Sequence, residues 1–284
     1  MTGSGPPLLH ELHDSARARG IDGYRRMTKR ELLDILGREA APGPAAAAEP
    51  AGPTVVDVDR RGPLALLTLR GADNALGLDT LESLADEADR QARDESVWLV
   101  AITGAGRIFS AGADLESMRG LPGAQVSGRG TAACRRIAGL PVPTVALLNG
   151  HAVGGAVDLA LACAWRLAGH GAKVRFIHNQ LGYSPPWGAA DRLADLVGAG
   201  TALRLFVLHE LLSAADARAL GVVDEVVADG RLVARAEAMA GRIARGGRDA
   251  VVATKLLVRL RPPAAEQERA FAALWDARSS TLQA

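Results

Sequence analysis

Two short runs of small residues could place bare backbone donors against a substrate oxygen. They are Phe109-Ser110-Ala111-Gly112-Ala113-Asp114-Leu115 and Val153-Gly154-Gly155-Ala156-Val157-Asp158. Glycine and alanine allow close approach. The first turn of a helix carries unsatisfied N–H groups, and its dipole favours negative charge. Each run is expected to open onto a helix, so that two donors converge on one carbonyl and form an oxyanion hole. Asp158 lies three residues after Gly155 and adds a carboxylate beside that hole.

The elements needed to position these turns are also legible. Val55–Val58, Ala65–Leu69, Trp98–Ile102 and Thr144–Leu148 read as short strands, and Leu81, Leu84, Ala88 and Ala92 recur at helical spacing between two of them. The third and fourth strands run into the two turns through Thr103-Gly104-Ala105-Gly106-Arg107 and Asn149-Gly150-His151-Ala152. Periodicity alone gives an α/β protein built from β–α–β units.

From about Val55 to the C-terminus the chain resembles the crotonase family, the enoyl-CoA hydratase/isomerases. The resemblance is carried by Asn74-Ala75-Leu76, by Phe109 to Leu115, by Asn149 to Leu159 and by Ser213 to Val227. It implies a repeated ββα spiral with a C-terminal helical trimerisation region, assembled as a homotrimer or hexamer. It also implies that the N–H groups of Ala113 and Gly155 bind an acyl thioester oxygen. Ala111, Gly112, Asp114 and Leu115 map to the segment along the coenzyme A nucleotide, although Asp114 equally reads as a helix cap. No cofactor is expected, with coenzyme A or phosphopantetheine serving as substrate carrier. Asp73 stands where many relatives have a basic residue near the CoA phosphates, which leaves an acyl carrier protein as an alternative source of the thioester.

Departures from the hydratase pattern bear on the reaction. Hydratases of this family use two glutamates to position and activate water. Here the first maps to Asp158, whose shorter side chain withdraws the carboxylate by about 1.5 Å. The second maps to His178. The loop from Arg175 through His178, Tyr183, Pro186, Trp187 and Gly188 to Arg192 resembles that of the ethylmalonyl-CoA and methylmalonyl-CoA decarboxylases. The resemblance implies a malonyl-type decarboxylase in which His178 engages the departing carboxylate and Tyr183 assists; Tyr183 and Trp187 read equally well as pocket wall. Two alternatives stay open: a hydratase or isomerase using Asp158 alone, and a non-catalytic scaffold displaying an N-terminal module.

That module, residues 1–39, shows two short helical patterns broken by Gly20 and Gly23. Its Leu12–Leu36 stretch resembles the Rho termination factor N-terminal and SAP type. The residues 40–53 are nearly all Ala, Pro and Gly and read as a flexible linker before a catalytic domain over 54–284. Arg25, Arg26, Lys29 and Arg30 are few for phosphate binding, so protein docking is the expectation ahead of nucleic acid.

The net charge of +1 argues against a protein that binds polyanions over its whole surface. Cys134 and Cys163 sit in apolar surroundings and read as reduced thiols, and the six histidines show no zinc spacing, so no metal is expected. Neither a signal-peptide pattern nor an apolar run of membrane-spanning length occurs, and a cytoplasmic enzyme without a membrane partner is the expectation.

Overall fold

The computed structural model describes residues 56–282, with side chains described for 56–279. The helical module, the linker and Val55 lie outside the described residues. β1 (Val56–Arg61) and β2 (Leu64–Leu69) form an antiparallel hairpin, followed by α1 (Leu78–Arg93) and β3 (Leu99–Gly104). After α2 (Gly123–Gly139) come β4 (Thr144–Leu148), β5 (Ala152–Val153), α3 (Gly155–Ala162), β6 (Trp165–Gly169) and β7 (Lys173–Arg175). The remainder is α4 (Ala189–Val197), α5 (Ala199–Leu208), β8 (Leu211–Ser213), α6 (Ala214–Ala219), β9 (Glu225–Val227), α7 (Leu232–Ile243), α8 (Arg248–Leu260) and α9 (Ala264–Leu282).

The main sheet has the order β1-β2-β3-β4-β6-β9, parallel from β2 onward, and β5-β7-β8 form a smaller sheet. Apolar runs dominate β2, β3 and β4 because both faces of this sheet are covered. Ala65, Leu67 and Leu69 pack with residues of α1, α2 and α3, whereas Leu64, Leu66, Leu99, Ala101, Val145 and Leu147 meet Leu232, Ala236 and Ala240 of α7. At the far edge the buried Arg166 guanidinium donates to Asp224 Oδ2 at 2.6 Å, Val222 O at 2.8 Å and Cys163 O at 3.0 Å, which joins β6 to the approach of β9. Such a buried charge is tolerable because its donors are used.

The expected strands are all present, each within two residues of its expected bounds except the end of β1, which runs three residues further to Arg61, and Leu81, Leu84, Ala88 and Ala92 fall on α1. The ββα order matches the crotonase spiral. One expectation fails. Ala113 does not open a helix: residues 115–120 form consecutive turns, and α2 begins only at Gly123. Asp114 Oδ1 accepts the Ser117 N–H at 3.1 Å, so Asp114 caps a turn rather than a helix. Gly120 and Pro122 break the chain between turn and helix, with Gly120 at φ 80°. Both cysteines are buried and free.

Candidate active site

The two turns meet where β3 and β4 end. Asn74, in the left-handed region at φ 51°, sends its buried Nδ2 to Ala105 O at 2.9 Å and Ile108 O at 3.0 Å. Asn149 braces the same loop from the other side. Its Nδ2 donates to Gly106 O and Ile108 O, both at 3.1 Å, while its Oδ1 accepts the Gly104 N–H and the Thr103 hydroxyl. Next, Leu76 N donates to Gly112 O at 2.7 Å and Asp114 N to Leu76 O at 3.1 Å, which fixes the peptide groups on either side of Ala113. The Asn74-Ala75-Leu76 motif therefore holds the first turn in place.

Close approach explains the glycines. Gly112, at φ 100°, lies so near the second turn that a Cβ there would fall 2.4 Å from Val153 O and 3.3 Å from Gly155 N. Gly154 caps α3 at φ 53° and ψ −121°, a conformation closed to other residues. A Cβ on Gly155 would stand 3.2 Å from Ala113 N. Among the described residues, neither the Ala113 nor the Gly155 N–H donates to a backbone carbonyl. Two uncommitted donors thus lie side by side, the second with the α3 dipole behind it. Of the segment expected to line the nucleotide, Ala111 and Leu115 are exposed, Asp114 is partly buried and Gly112 is buried.

One turn into α3, Asp158 is fully buried. His178 Nε2 lies 3.2 Å from Asp158 Oδ2, within ion-pair distance but outside the alignment of a hydrogen bond. His178 heads the short 3-10 turn Asn179–Leu181, and its carbonyl accepts the N–H groups of Leu181 and Tyr183. Its ring meets Phe206 of α5 edge-on at 5.9 Å, and Phe206 in turn meets Phe176 at 5.1 Å. Burial pushes the Asp158 carboxyl above the usual aspartate range, and the His178 and Arg192 charges pull it partly back. Among the described residues, no second carboxylate contributes to this shift. His178 Nδ1 and Asp158 Oδ1 are buried without a hydrogen-bond partner among the described residues. Each such group costs about 1–3 kcal/mol until something satisfies it.

Trp187 forms the adjoining wall. A Cβ on Gly155 would fall 2.7 Å from its Cζ3, and one on Gly130 of α2 would fall 1.9 Å from its Cε2 and Nε1, so the indole is held between two glycines. Its backbone sits at φ 57°, a strained conformation for a bulky residue, and Arg192 Nη1 holds its carbonyl at 2.7 Å. Tyr183 is 58% exposed and makes no side-chain hydrogen bond to the Asp158–His178 pair. Among the sequence-predicted residues, Ala113, Gly155, Asp158 and His178 are brought to the ends of β3 and β4 and the start of α3. Sequence reasoning gave no role to Gly130, Arg192 or Asn149. Asn149 and Arg192 did stand within the family-like runs Asn149 to Leu159 and Arg175 to Arg192, whereas Gly130 offered no signal. Among the described residues no cluster of potential ligands could hold a metal ion.

Comparison with known proteins identifies the family. Residues 61–277 match the enoyl-CoA hydratase/isomerase family. The chain is 35% identical over 188 residues to a crotonyl-CoA hydratase of Syntrophomonas wolfei, covering 65% of this chain and 72% of that protein. It is 34% identical over 133 residues to an ethylmalonyl-CoA decarboxylase of Xenopus laevis, covering 44% of each. Among solved structures, DspI of Pseudomonas aeruginosa superposes with a TM-score of 0.75 at 29% identity, over 82% of this chain and 100% of that one.

Proposed function

The chain belongs to the enoyl-CoA hydratase/isomerase family, and within it we propose that this protein decarboxylates a malonyl- or alkylmalonyl-type acyl thioester. The observation that carries this reading is the buried Asp158–His178 pair beside the two free backbone donors, with no second carboxylate acting on Asp158 among the described residues. Hydration requires a water held and deprotonated between two acid–base groups. Decarboxylation requires neither. The thioester carbonyl oxygen lies between the Ala113 and Gly155 N–H groups, and the α-carboxylate accepts a hydrogen bond from His178. The bond between the α-carbon and the carboxylate breaks, its electron pair passes into the thioester enolate, and carbon dioxide leaves. Charge on the enolate oxygen meets donors already in place, each worth about a hundred- to a thousand-fold in rate. A proton drawn from solvent then adds to the α-carbon. Asp158 positions His178 and balances its charge, and Trp187 limits the room for the acyl chain.

Coenzyme A is the family's carrier, and an acyl carrier protein presenting phosphopantetheine is the alternative for this chain. The exposed, stacked Phe271 and Trp275 of α9 support assembly of several copies, with a trimer or hexamer as the proposed form. Protein docking is the proposed role of the N-terminal module. No described helix is long and apolar enough to cross a membrane.

A second reading, a hydratase or isomerase using Asp158 as sole acid–base group, is favoured by the similarity to the Syntrophomonas wolfei crotonyl-CoA hydratase. His178→Ala separates the two. Under the decarboxylase reading it strongly depresses carbon dioxide release from methylmalonyl or ethylmalonyl thioesters, and restoring glutamates at 158 and 178 brings no improvement. Conversion of the double glutamate variant into a faster enzyme on its best substrate would favour the second reading.

A further inference from the structure

A cavity of about 690 Å³ lies at the opposite end of α3 from the oxyanion turns, within the size range of small-molecule sites. Helix α3 begins with Gly155 at the turns and ends with Ala162 in the cavity wall, a rise of about 10 Å. The wall is mostly apolar, with Pro143, Ala162, Val251 and Val258 contributing. Its charged members are Arg192, Lys255 and Arg259, and it contains neither Asp nor Glu.

Lys255 and Arg259 are uncompensated, whereas the Arg192 charge acts on Asp158. Lys255 Nζ donates to Leu140 O at 2.6 Å and Val142 O at 2.7 Å, which uses two of its three donors. Arg259 Nη1 donates to Ala138 O at 3.2 Å, and Arg192 is held by the Trp187 carbonyl. None of the three forms an ion pair with a carboxylate among the described residues. Burial lowers the Lys255 ammonium to about 8, and the neighbouring Arg259 charge adds to that effect. A buried ammonium next to a second cation is unfavourable unless an anion joins them.

We propose that this cavity is a second binding site, which takes a carboxylate carrying an aliphatic chain. The head group lies between Lys255 and Arg259, and the chain lies against Pro143, Ala162, Val251 and Val258. The residues that hold this ligand differ from those of the thioester site, although Arg192 lines the cavity and also holds the Trp187 carbonyl, and the second site does not rest on the reaction assigned above.

Calorimetric titration of the full-length protein with octanoate tests this, with octan-1-ol and octylammonium as probes of head-group charge. Octanoate is expected to bind once per chain, octan-1-ol about ten-fold more weakly and octylammonium not at all. Arg259→Gln, at an exposed position, is expected to weaken octanoate about ten-fold. Ala250→Phe, exposed at the cavity rim, is expected to abolish its binding while turnover of a short thioester persists. Equal affinity for octanoate and octan-1-ol would overturn the proposal. So would octanoate binding that survives in both variants, which would place it elsewhere, or the absence of any octanoate binding.

Discussion

Gly130→Ala sets two effects against each other, and the structure decides which wins. In the middle of α2 an alanine would ordinarily add about 1 kcal/mol of stability over glycine. Here the new methyl falls 1.9 Å from Cε2 and Nε1 of Trp187, where non-bonded carbons prefer about 3.5–4.0 Å. The indole has no easy retreat: Gly155 lies on its other edge and Arg192 holds its carbonyl. Overpacking of this severity costs about 3 kcal/mol, the upper part of the usual range. The net loss is about 2 kcal/mol, or a fall in Tm of roughly 4–8 °C for a domain of this size. Because the ring borders the Gly155 donor, a shift of about 1 Å is also expected to lower turnover about a hundred-fold. Thermal melts and a thioester assay read both effects. The decisive control is the same change in a Trp187→Ala background. That substitution alone costs about 3–5 kcal/mol, but on top of it Gly130→Ala should become stabilising by about 1 kcal/mol. A Gly130→Ala protein that melts no lower than wild type and turns over normally would refute the packing of Trp187 between the two glycines.

Three further outcomes are expected. The buried Asp158 carboxyl binds its proton more tightly in the folded state than in the unfolded chain, so its ionised form opposes folding above the ordinary aspartate pKa of about 3.9. Asp158→Asn should therefore raise Tm at pH 7, with a gain that shrinks toward pH 4, while turnover falls; an unchanged or lower Tm at pH 7 contradicts this. Gly155→Pro and Gly155→Ala both crowd Trp187, but only proline removes the N–H, so the proline variant should be slower than the alanine variant by about a hundred- to a thousand-fold. Equal rates, with folding confirmed by circular dichroism, would remove that donor from the site. Deleting residues 1–53 should leave turnover of a free small thioester within a few-fold; loss of the oligomer on truncation, seen by light scattering, would show that the N-terminal segment is built into the catalytic body.

Much of this arrangement could be read in the chain because its signals are local. β2, β3 and β4 are buried on both faces and so appear as unbroken apolar runs, and the heptad-like spacing of Leu81, Leu84 and Ala88 marks the inward face of α1. The Gly112 and Gly154-Gly155 turns announce themselves by composition, since no side chain fits where the two turns meet. What was not legible depends on contacts between distant segments. Gly130 looks like a poor helix residue until the Trp187 indole is placed against it. Arg192 looks like a surface charge on α4 until its guanidinium is found on the Trp187 carbonyl. The stretch after Ala113 kept enough apolar residues to suggest a helix, yet Gly120 and Pro122 delay it to Gly123. Tyr183 follows His178 by five residues, but the 3-10 turn and Gly182 at φ 82° carry its side chain out to solvent.

The central claim is the choice of bond broken, and one competition measures it. Wild-type protein is given equal amounts of an ethylmalonyl or methylmalonyl thioester and a crotonyl thioester, and the products are followed together by mass spectrometry. The account predicts that the malonyl-type thioester loses carbon dioxide while the crotonyl thioester gains little or no water. Efficient hydration of the crotonyl thioester, with no carbon dioxide released from any malonyl-type thioester, would contradict it and assign the site to Asp158 acting alone.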